Sequence, residues 1–237
     1  MGELMDKESI LQGIKAGLIV SCQALTDEPL HGSEFMARMA IAAKEGGAVA
    51  IRANGYSDIK AIKEAVNLPV IGIVKRIYAD SDVYITPTMK EVEEVIQAGA
   101  EIVAIDATKR KRPDGVELAS LIRAIREKYP QALIMADVST LEEGVQACDY
   151  GVDLVGTTLS GYTSYSPSLS GPDLELIKGL VAGVRIPVIA EGRVSSPEEA
   201  SLCLEKGAWS VVVGTAITRP QEITKNFVKR MQAVNDS

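Results

Sequence analysis

The sequence predicts an α/β fold of the (β/α)8 TIM-barrel class, formed by a single domain over residues 1–237 with an extra N-terminal helix. Two observations predict it. Eight short apolar runs alternate with longer helix-like stretches, and none of the runs alternates apolar with polar residues. Parallel strands that are buried on both faces have this uniformly apolar character. Eight such units in series within one chain of this length predict a closed barrel.

The predicted strands are the apolar runs at 18–22, 49–52, 70–74, 102–106, 133–137, 154–157, 187–191 and 210–214. The extra helix is predicted over residues 5–16, ahead of the first strand. The stretch 160–172, rich in Ser, Gly, Tyr and Pro, is the longest predicted loop and a candidate lid. A doubly wound open sheet is the alternative fold, but no G-x-G-x-x-G motif follows the first strand.

Helix boundaries are marked by capping residues. Capping-box spacing, with a glutamate three residues after Ser or Thr, predicts helices that start after Thr88, Thr140 and Ser196. Proline is expected at the first helical position at Pro172 and Pro197. Glycines just before the following strands, at 46–47, 99, 151 and 207, predict left-handed helix ends.

Composition argues against several classes of protein. The net charge of −7 argues against a nucleic-acid-binding surface. With no signal-peptide pattern and no long apolar run, we expect no membrane association and a cytoplasmic location. Three widely spaced cysteines imply neither a disulfide framework nor a zinc site. His31 is the only histidine, which excludes a multi-histidine metal site, and a Ser–His–Asp triad unless His31 itself serves.

Polar residues stand at the ends of the predicted strands, where this fold places its chemistry. They are Gln23, Arg52, Lys75, Arg76, Asp106, Asp137, Thr157, Thr158, Glu191, Arg193 and Thr215. Charge at these ends risks desolvation, and a barrel stabilised only by its core does not need it. The alternative to a functional role is that these charges pair as structural salt bridges. Asp106 in particular can cap a loop or pair with Lys109.

Two glycine turns predict a phosphate site. Glycine-rich turns after strands 7 and 8 of such barrels commonly bind phosphate through backbone N–H groups and a helix amino terminus. Gly192 and Arg193 follow strand 7, and Gly214 and Thr215 follow strand 8. Arg219, five residues further on, can add a charged contact.

Lys75 is the best candidate for proton transfer. A lysine acts as a base near neutral pH only if its pKa is lowered, which burial or neighbouring cations can do. Arg52 and Arg76 are the expected cationic neighbours. Glu191, if close, raises the pKa of Lys75 instead, although it can also orient or share the proton.

Nine stretches that together span nearly the whole chain resemble the N-acetylmannosamine-6-phosphate 2-epimerase family. They are SCQAL (21–25), AIRA (50–53), IGIVKR (71–76), YITPT (84–88), DATKRKRP (106–113), MADVSTLEEG (135–144), TTLSGYT (157–163), AEGR (190–193) and GTAITRP (214–220).

The resemblance implies an enzyme that interconverts N-acetylmannosamine 6-phosphate and N-acetylglucosamine 6-phosphate in amino-sugar and sialic acid breakdown. It implies no metal or organic cofactor and, commonly, a homodimer. The family's catalytic lysine falls on Lys75 and its partner glutamate on Glu191. Its substrate-positioning residues fall on Gln23, Arg52, Asp137 and Arg219.

Two other functions remain open from the residues alone, which indicate acid–base chemistry on a phosphorylated small molecule. A Schiff-base aldolase would use Lys75 to attack a carbonyl carbon. A non-catalytic sugar-phosphate-binding protein would use the phosphate site but would not need Lys75, Asp137 and Glu191 together.

Overall fold

The computed structural model describes residues 6–235 and contains a closed barrel of eight parallel strands, which confirms the predicted fold class. The strands are β1 (Leu18–Cys22), β2 (Ala50–Asn54), β3 (Val70–Ile73), β4 (Ile102–Asp106), β5 (Leu133–Asp137), β6 (Leu154–Gly156), β7 (Val188–Glu191) and β8 (Ser210–Val213). Each strand pairs with the next in chain order, and β1 closes the barrel on β8 with Ile19 in register with Val212.

Helices surround the barrel and connect the strands. They are α1 (Lys7–Gly13), α2 (Ser33–Glu45), α3 (Tyr56–Ala65), α4 (Met89–Gln97), α5 (Leu118–Lys128), α6 (Leu141–Asp149), α7 (Leu174–Gly183), α8 (Pro197–Glu205), α9 (Thr215–Thr218) and α10 (Pro220–Asn235), with a 3₁₀ turn at Pro113–Gly115 before α5. None of the helices within residues 6–235 is long and apolar enough to cross a lipid bilayer.

The strands are apolar throughout because both of their faces are buried. In β3, Ile71 and Ile73 belong to one core cluster. Val70, the first residue of the strand, belongs to a second cluster, which includes helix residues such as Ile59. Successive side chains of a strand point to opposite faces, so one set fills the barrel and the other packs under the helices. This double burial explains the missing period-2 pattern.

The extra N-terminal helix closes the amino-terminal end of the barrel. Ile10 of α1 and the following Ile14 are buried in the cluster that fills the barrel. The Trp209 indole N–H donates to the Leu11 carbonyl at 2.8 Å, which ties α1 to the start of β8. The predicted span began at residue 5, which lies outside the described residues, and the observed helix ends at Gly13.

Five of the predicted strands differ from the observed ones by one or two residues at an end, and the differences in β2 and β6 affect the site. β2 runs to Asn54 rather than ending at Arg52, because its ladder with β3 continues until Asn54 stands opposite Ile73. β6 ends at Gly156, so Thr157 and Thr158 follow the strand rather than close it. Asn54 therefore belongs to β2, and Thr157 and Thr158 lie beyond the end of β6, at the mouth of the barrel.

The predicted helix starts are confirmed in part. Thr88 and Thr140 form complete capping boxes with Glu91 and Glu143. Ser196 caps α8 with its own side chain, but the Glu199 carboxylate returns to Ser195 instead.

Two further predictions concerned proline and glycine. Pro197 is the first residue of α8, as predicted. Pro172 is not helical, because Asp173 is the N-cap of α7 and its carboxylate accepts from the Leu176 N–H. Glycines 47, 99, 151 and 207 all adopt the positive φ angles expected of left-handed helix ends.

Candidate active site

A cavity of about 670 Å³ opens at the carboxyl-terminal ends of the strands. This volume suits a small-molecule ligand. Nine of the predicted site residues line it: Gln23, Arg52, Lys75, Glu191, Gly192, Arg193, Gly214, Thr215 and Arg219. Asp137, the tenth, is fully buried behind the wall and contacts Arg52 and Thr158.

Arg52 is the centre of a buried charge network. Only 1% of its side chain is exposed. Its Nη2 donates to Asp137 Oδ2 at 2.5 Å, and its Nη1 donates to Asp137 Oδ1 at 3.2 Å and to Glu191 Oε2 at 2.8 Å. A planar guanidinium is suited to this two-point contact with a carboxylate. One cation therefore serves two carboxyl groups.

Glu191 consequently lies in a site that disfavours its ionised form. Burial raises the pKa of Glu191 to about 7, and the nearby Asp137 carboxylate adds to the rise, whereas Arg52, Thr158 and Lys75 act in the opposite direction. Desolvation penalises the charged form of a carboxyl group. Glu191 can therefore gain and lose a proton near neutral pH.

The Lys75 side chain extends into the cavity from the turn after β3. The residue is exposed because the cavity is open, and its amine forms no hydrogen bond or ion pair with the part of the chain that the structure describes. Desolvation by the cavity walls and the charges of Arg52 and Arg219 lower the pKa of Lys75, while Glu191 and Glu28 oppose this.

The backbone of Lys75 is held in place by β2. Its N–H donates to Asn54 Oδ1 at 2.8 Å, an interaction that depends on the longer β2 strand. Arg76 is not the cationic neighbour that the sequence suggested, because its guanidinium turns outward to Glu91 and Glu94 on α4. Asp106 likewise pairs with Arg110 at 2.6 Å, and not with Lys109.

Gln23 presents an unpaired acceptor. Its Nε2 donates to Ser21 Oγ at 2.8 Å, and its Oε1 is buried with no hydrogen-bond partner among residues 6–235. A buried oxygen without a donor costs free energy. Because Gln23 lines the cavity, a ligand hydroxyl or N–H can supply the missing donor.

The turn after β7 has left-handed backbone at two consecutive residues, Gly192 with φ 110° and Arg193 with φ 56°. The Arg193 guanidinium does not point at the turn but donates to the carbonyls of Ser160 and Gly171. These two carbonyls lie at the two ends of the predicted lid. Arg193 thus fastens the 160–172 loop beside the cavity, where Tyr162 also lines the wall.

The turn after β8 leads directly into the short helix α9, with Gly214 as its N-cap. The first N–H groups of any helix lack partners within the helix. Thr215 and Ala216, the first two residues of α9, both line the cavity. Arg219 follows, and its Nη2 donates to Glu28 Oε2 at 2.7 Å.

Sequence reasoning missed two polar residues of this site, Glu28 and Asn54, and did not predict the role of a third, Thr158. Glu28 lies in the first βα loop and contacts Arg219 from 191 positions away, so no local pattern connects the two. Asn54 was missed because β2 was predicted too short. Thr158 was noted at the end of a strand, but nothing in the sequence showed that it bridges two carboxyl groups. His31 is exposed in the same loop as Glu28, and no group of three or more His, Cys, Asp or Glu side chains suited to a metal ion occurs within the described residues.

The closed barrel and the lysine, glutamate and arginine at its carboxyl-terminal mouth define a (β/α)8-barrel enzyme that performs acid–base chemistry. Residues 36–233 match the family NanE, described as "Putative N-acetylmannosamine-6-phosphate epimerase". The chain belongs to this family.

Individual relatives agree with the family match. A protein from Caldanaerobacter subterraneus subsp. tengcongensis with the name "Putative N-acetylmannosamine-6-phosphate 2-epimerase" is 61% identical over 92% of both chains. A protein of the same name from Clostridioides difficile is 54% identical over 94% of this chain and 99% of its own.

Solved structures give the same fold. The N-acetylmannosamine-6-phosphate 2-epimerase from Clostridium perfringens superposes with a TM-score of 0.92 at 55% identity, covering 97% of this chain and 99% of that one. The thiamine phosphate pyrophosphorylase from Pyrococcus furiosus has a TM-score of 0.60 at 20% identity over 90% of this chain and 93% of its own, and it shares the fold alone.

Proposed function

We propose that this protein is a cofactor-independent epimerase that interconverts N-acetylmannosamine 6-phosphate and N-acetylglucosamine 6-phosphate at carbon 2. The observation that carries the proposal is the pairing of Lys75 and Glu191 in one cavity, with the pKa of the amine lowered and that of the carboxyl group raised. Such opposed shifts bring both groups towards the pH at which they can exchange protons with a substrate.

The reaction begins with the open-chain aldehyde of the sugar. The C2–H bond breaks, its proton goes to the Lys75 amine, and the electron pair delocalises onto the carbonyl oxygen at carbon 1 as an enolate. That oxygen becomes negative and needs donors that are already oriented. Arg52 lies in the cavity wall for this purpose, and Gln23 Nε2 keeps a second N–H besides the one that it donates to Ser21 Oγ. Glu191 returns a proton to carbon 2 from the opposite face, or orients the group that does.

The phosphate end of the substrate anchors it across the mouth of the barrel. We assign the phosphate to the turns at Gly192–Arg193 and Gly214–Thr215, where backbone N–H groups are the donors, with Arg219 as the cationic contact. The Arg193 side chain contributes indirectly, since its guanidinium is directed to the adjacent loop. Binding energy from this remote group holds carbon 2 against Lys75.

Asp137 acts through Arg52 in this proposal. It is fully buried and contacts two donors of the network rather than the cavity. Its carboxylate keeps the guanidinium in one orientation, so that the remaining N–H groups face Glu191 and the substrate.

The proposal is tested by exchange of solvent deuterium into carbon 2, followed by proton NMR. The wild-type protein should incorporate deuterium into either sugar phosphate, and Lys75→Ala should abolish this exchange. Borohydride added with substrate should leave no covalent adduct on Lys75, since the amine acts as a base. Exchange by Lys75→Ala at the wild-type rate would rule out this base, and a trapped adduct would favour the aldolase.

We also propose that the protein acts as a homodimer in the cytoplasm, within amino-sugar breakdown. The helix α10 supports the homodimer. No side chain of residues 220–233 is buried in the single chain. The large apolar side chains of Phe227 and Met231 are 69% and 68% exposed. Large apolar side chains exposed one helical turn apart are typical of an interface, and a second copy of this chain is the proposed partner.

A further inference from the structure

The Thr158 hydroxyl lies between the two carboxyl groups of the buried network. Its Oγ1 is 2.6 Å from Asp137 Oδ1 and 3.2 Å from Glu191 Oε2. A hydroxyl group has a single proton to donate, so it can serve only one of these oxygens at a time. The shorter distance places that proton on the Asp137 side in this structure.

The two oxygens of Glu191 are in different situations. Oε2 is contacted by both Arg52 Nη1 and Thr158 Oγ1. Oε1 has no hydrogen-bond partner within residues 6–235, and it is not among the buried unpaired atoms. Because Glu191 lines the cavity, Oε1 is the oxygen that a substrate can reach.

We propose that Thr158 is a positioning residue for Glu191: its hydroxyl fixes Oε2 beside Arg52, so that Oε1 faces the cavity, and it moves its hydrogen bond from Asp137 to Glu191 when Glu191 releases a proton. This inference rests on the proposed function. It assigns to Thr158 a role through another residue, without contact to the reacting carbon.

The proposed move of the Thr158 hydrogen bond from Asp137 to Glu191 follows from the change of charge on Glu191. When the O–H bond at Oε1 breaks and the proton goes to the substrate, the electron pair stays on the Glu191 carboxylate and charge grows on Oε2. A hydrogen bond to an ionised acceptor is stronger than one to a neutral acceptor. The hydroxyl then turns to Oε2. Asp137 keeps two donors, Nη1 and Nη2 of Arg52, and so is not left unpaired.

Thr157, which precedes Thr158 directly after β6, offers a matched comparison. Its hydroxyl donates to the Glu191 carbonyl at 2.8 Å and accepts from the Glu191 N–H at 3.0 Å. It therefore holds the backbone of Glu191 but does not touch the carboxyl group. A purely structural need for support of Glu191 would make Thr157 and Thr158 equivalent.

The charged groups that face Glu191 come from three other elements: Arg52 on β2, Lys75 after β3 and Asp137 on β5. None of these is altered by a substitution at Thr158. Replacement of Thr158 by the isosteric valine removes the donor on which the ionised form of Glu191 depends. The ionised form should become harder to reach, and the proton of Glu191 should be held to higher pH.

The experiment compares Thr158→Val, Thr158→Ser and Thr157→Val by steady-state kinetics across pH. Thr158→Val should lower kcat about tenfold to a hundredfold with little change in KM, as expected when a hydrogen bond to a charged group is lost. The acidic limb of its pH–rate profile should move to higher pH by about one unit. Thr158→Ser should restore both values, whereas Thr157→Val should lower the thermal midpoint and leave the limb near the wild-type pH.

A second measurement does not depend on activity. The carbon-13 chemical shift of the Glu191 carboxyl group, followed by NMR titration of the substrate-free protein, should show a higher pKa in Thr158→Val than in Thr158→Ser or the wild type. Thr158→Ala replaces the valine variant if the latter does not fold. The inference would be overturned if the folded Thr158→Val or Thr158→Ala variant kept the wild-type kcat, the wild-type acidic limb and the wild-type pKa of Glu191. A wild-type protein without epimerase activity would instead refute the proposed function, and the titration would still decide the role of Thr158.

Discussion

At the scale of single residues, Lys75 and Glu191 show how one cavity can shift two pKa values in opposite directions. Desolvation by the cavity walls disfavours the charged form of each group, which means a lower pKa for an amine and a higher pKa for a carboxyl group. The attraction between the charged forms of Lys75 and Glu191 partly offsets both pKa shifts, because it favours the charged form of each group. Their ordinary values are about six units apart, and the cavity narrows this difference.

The pH dependence of kcat/KM follows from these directions. In the proposed mechanism, the active form holds one proton on the Lys75–Glu191 pair. As pH falls through about 7, Glu191 takes up a second proton and activity should fall. As pH rises through the lowered pKa of Lys75, the last proton is lost and activity should fall again. The expected profile is a bell whose acidic limb lies near pH 7.

Replacement of Glu191 by glutamine should remove that limb and lower kcat/KM by about two to four orders of magnitude. Glu198→Gln removes one exposed carboxylate at the start of α8 and should keep the wild-type profile. A limb that persists near pH 7 in Glu191→Gln would show that another group titrates there.

The sequence predicted the site as a set of residues but not as a geometry. Strand ends in a barrel converge on one mouth, so Lys75, Arg52 and Glu191 could be placed together from their positions alone. Direction of side chains could not be predicted: Arg76 was expected beside Lys75 and turns away from it to Glu91. The bridging position of Thr158 depends on distances between three strands, which no spacing along the chain encodes.

At the scale of elements, the packing of α6 against α7 depends on a glycine. A Cβ atom on Gly144 would lie 2.2 Å from Leu180 Cδ2, and Leu180 is fully buried. A Cβ on Gly179 of α7 would meet Leu141 at 3.6 Å, an ordinary contact distance. The two glycines are both helical, and only one of them has no room for a methyl group.

Gly144→Ala should therefore lower the free energy of unfolding by about 1–3 kcal/mol, as overpacking in a core does. Gly179→Ala is the control and should raise it by up to about 1 kcal/mol, because alanine is the better helix former. Urea unfolding followed by circular dichroism measures both. Equal midpoints for the two variants would contradict the close helix contact inferred at Gly144.

Element types were predicted correctly from local patterns, and the errors fall where tertiary contacts decide. Asn54 extends β2 because β3 offers a partner at that register, which a propensity argument does not include. Pro172 fits the first turn of a helix, but Asp173 supplies a side-chain cap one residue later and sets the start of α7. Capping boxes that are complete within four residues, as at Thr88 and Thr140, were predicted without error.

At the scale of the whole molecule, α10 is the helix that the single chain leaves uncovered. Helices α2 to α8 each bury at least one residue against the barrel, whereas α10 buries none between 220 and 233. Three of its residues, Ile223, Asn226 and Phe227, nevertheless line the cavity. A partner that covers α10 would therefore also support one wall of the candidate active site.

Replacement of Met231 by glutamate should dissociate the proposed homodimer. A new carboxylate within an apolar contact loses its hydration without gaining a partner. Lys229→Gln changes the net charge by the same amount on the other face of α10 and should leave the assembly unchanged. Sedimentation velocity at micromolar concentration distinguishes one chain of 25.3 kDa from two.

Dissociation should also weaken substrate binding, because Phe227 lies one helical turn before Met231 and lines the cavity. The Met231→Glu variant is therefore expected to sediment as a monomer with a raised KM, while Lys75 and Glu191 keep their pH limbs. A wild-type protein that sediments as a monomer would refute the homodimer outright. A monomeric Met231→Glu with wild-type KM would show instead that α10 holds the cavity wall in place without help from a second copy.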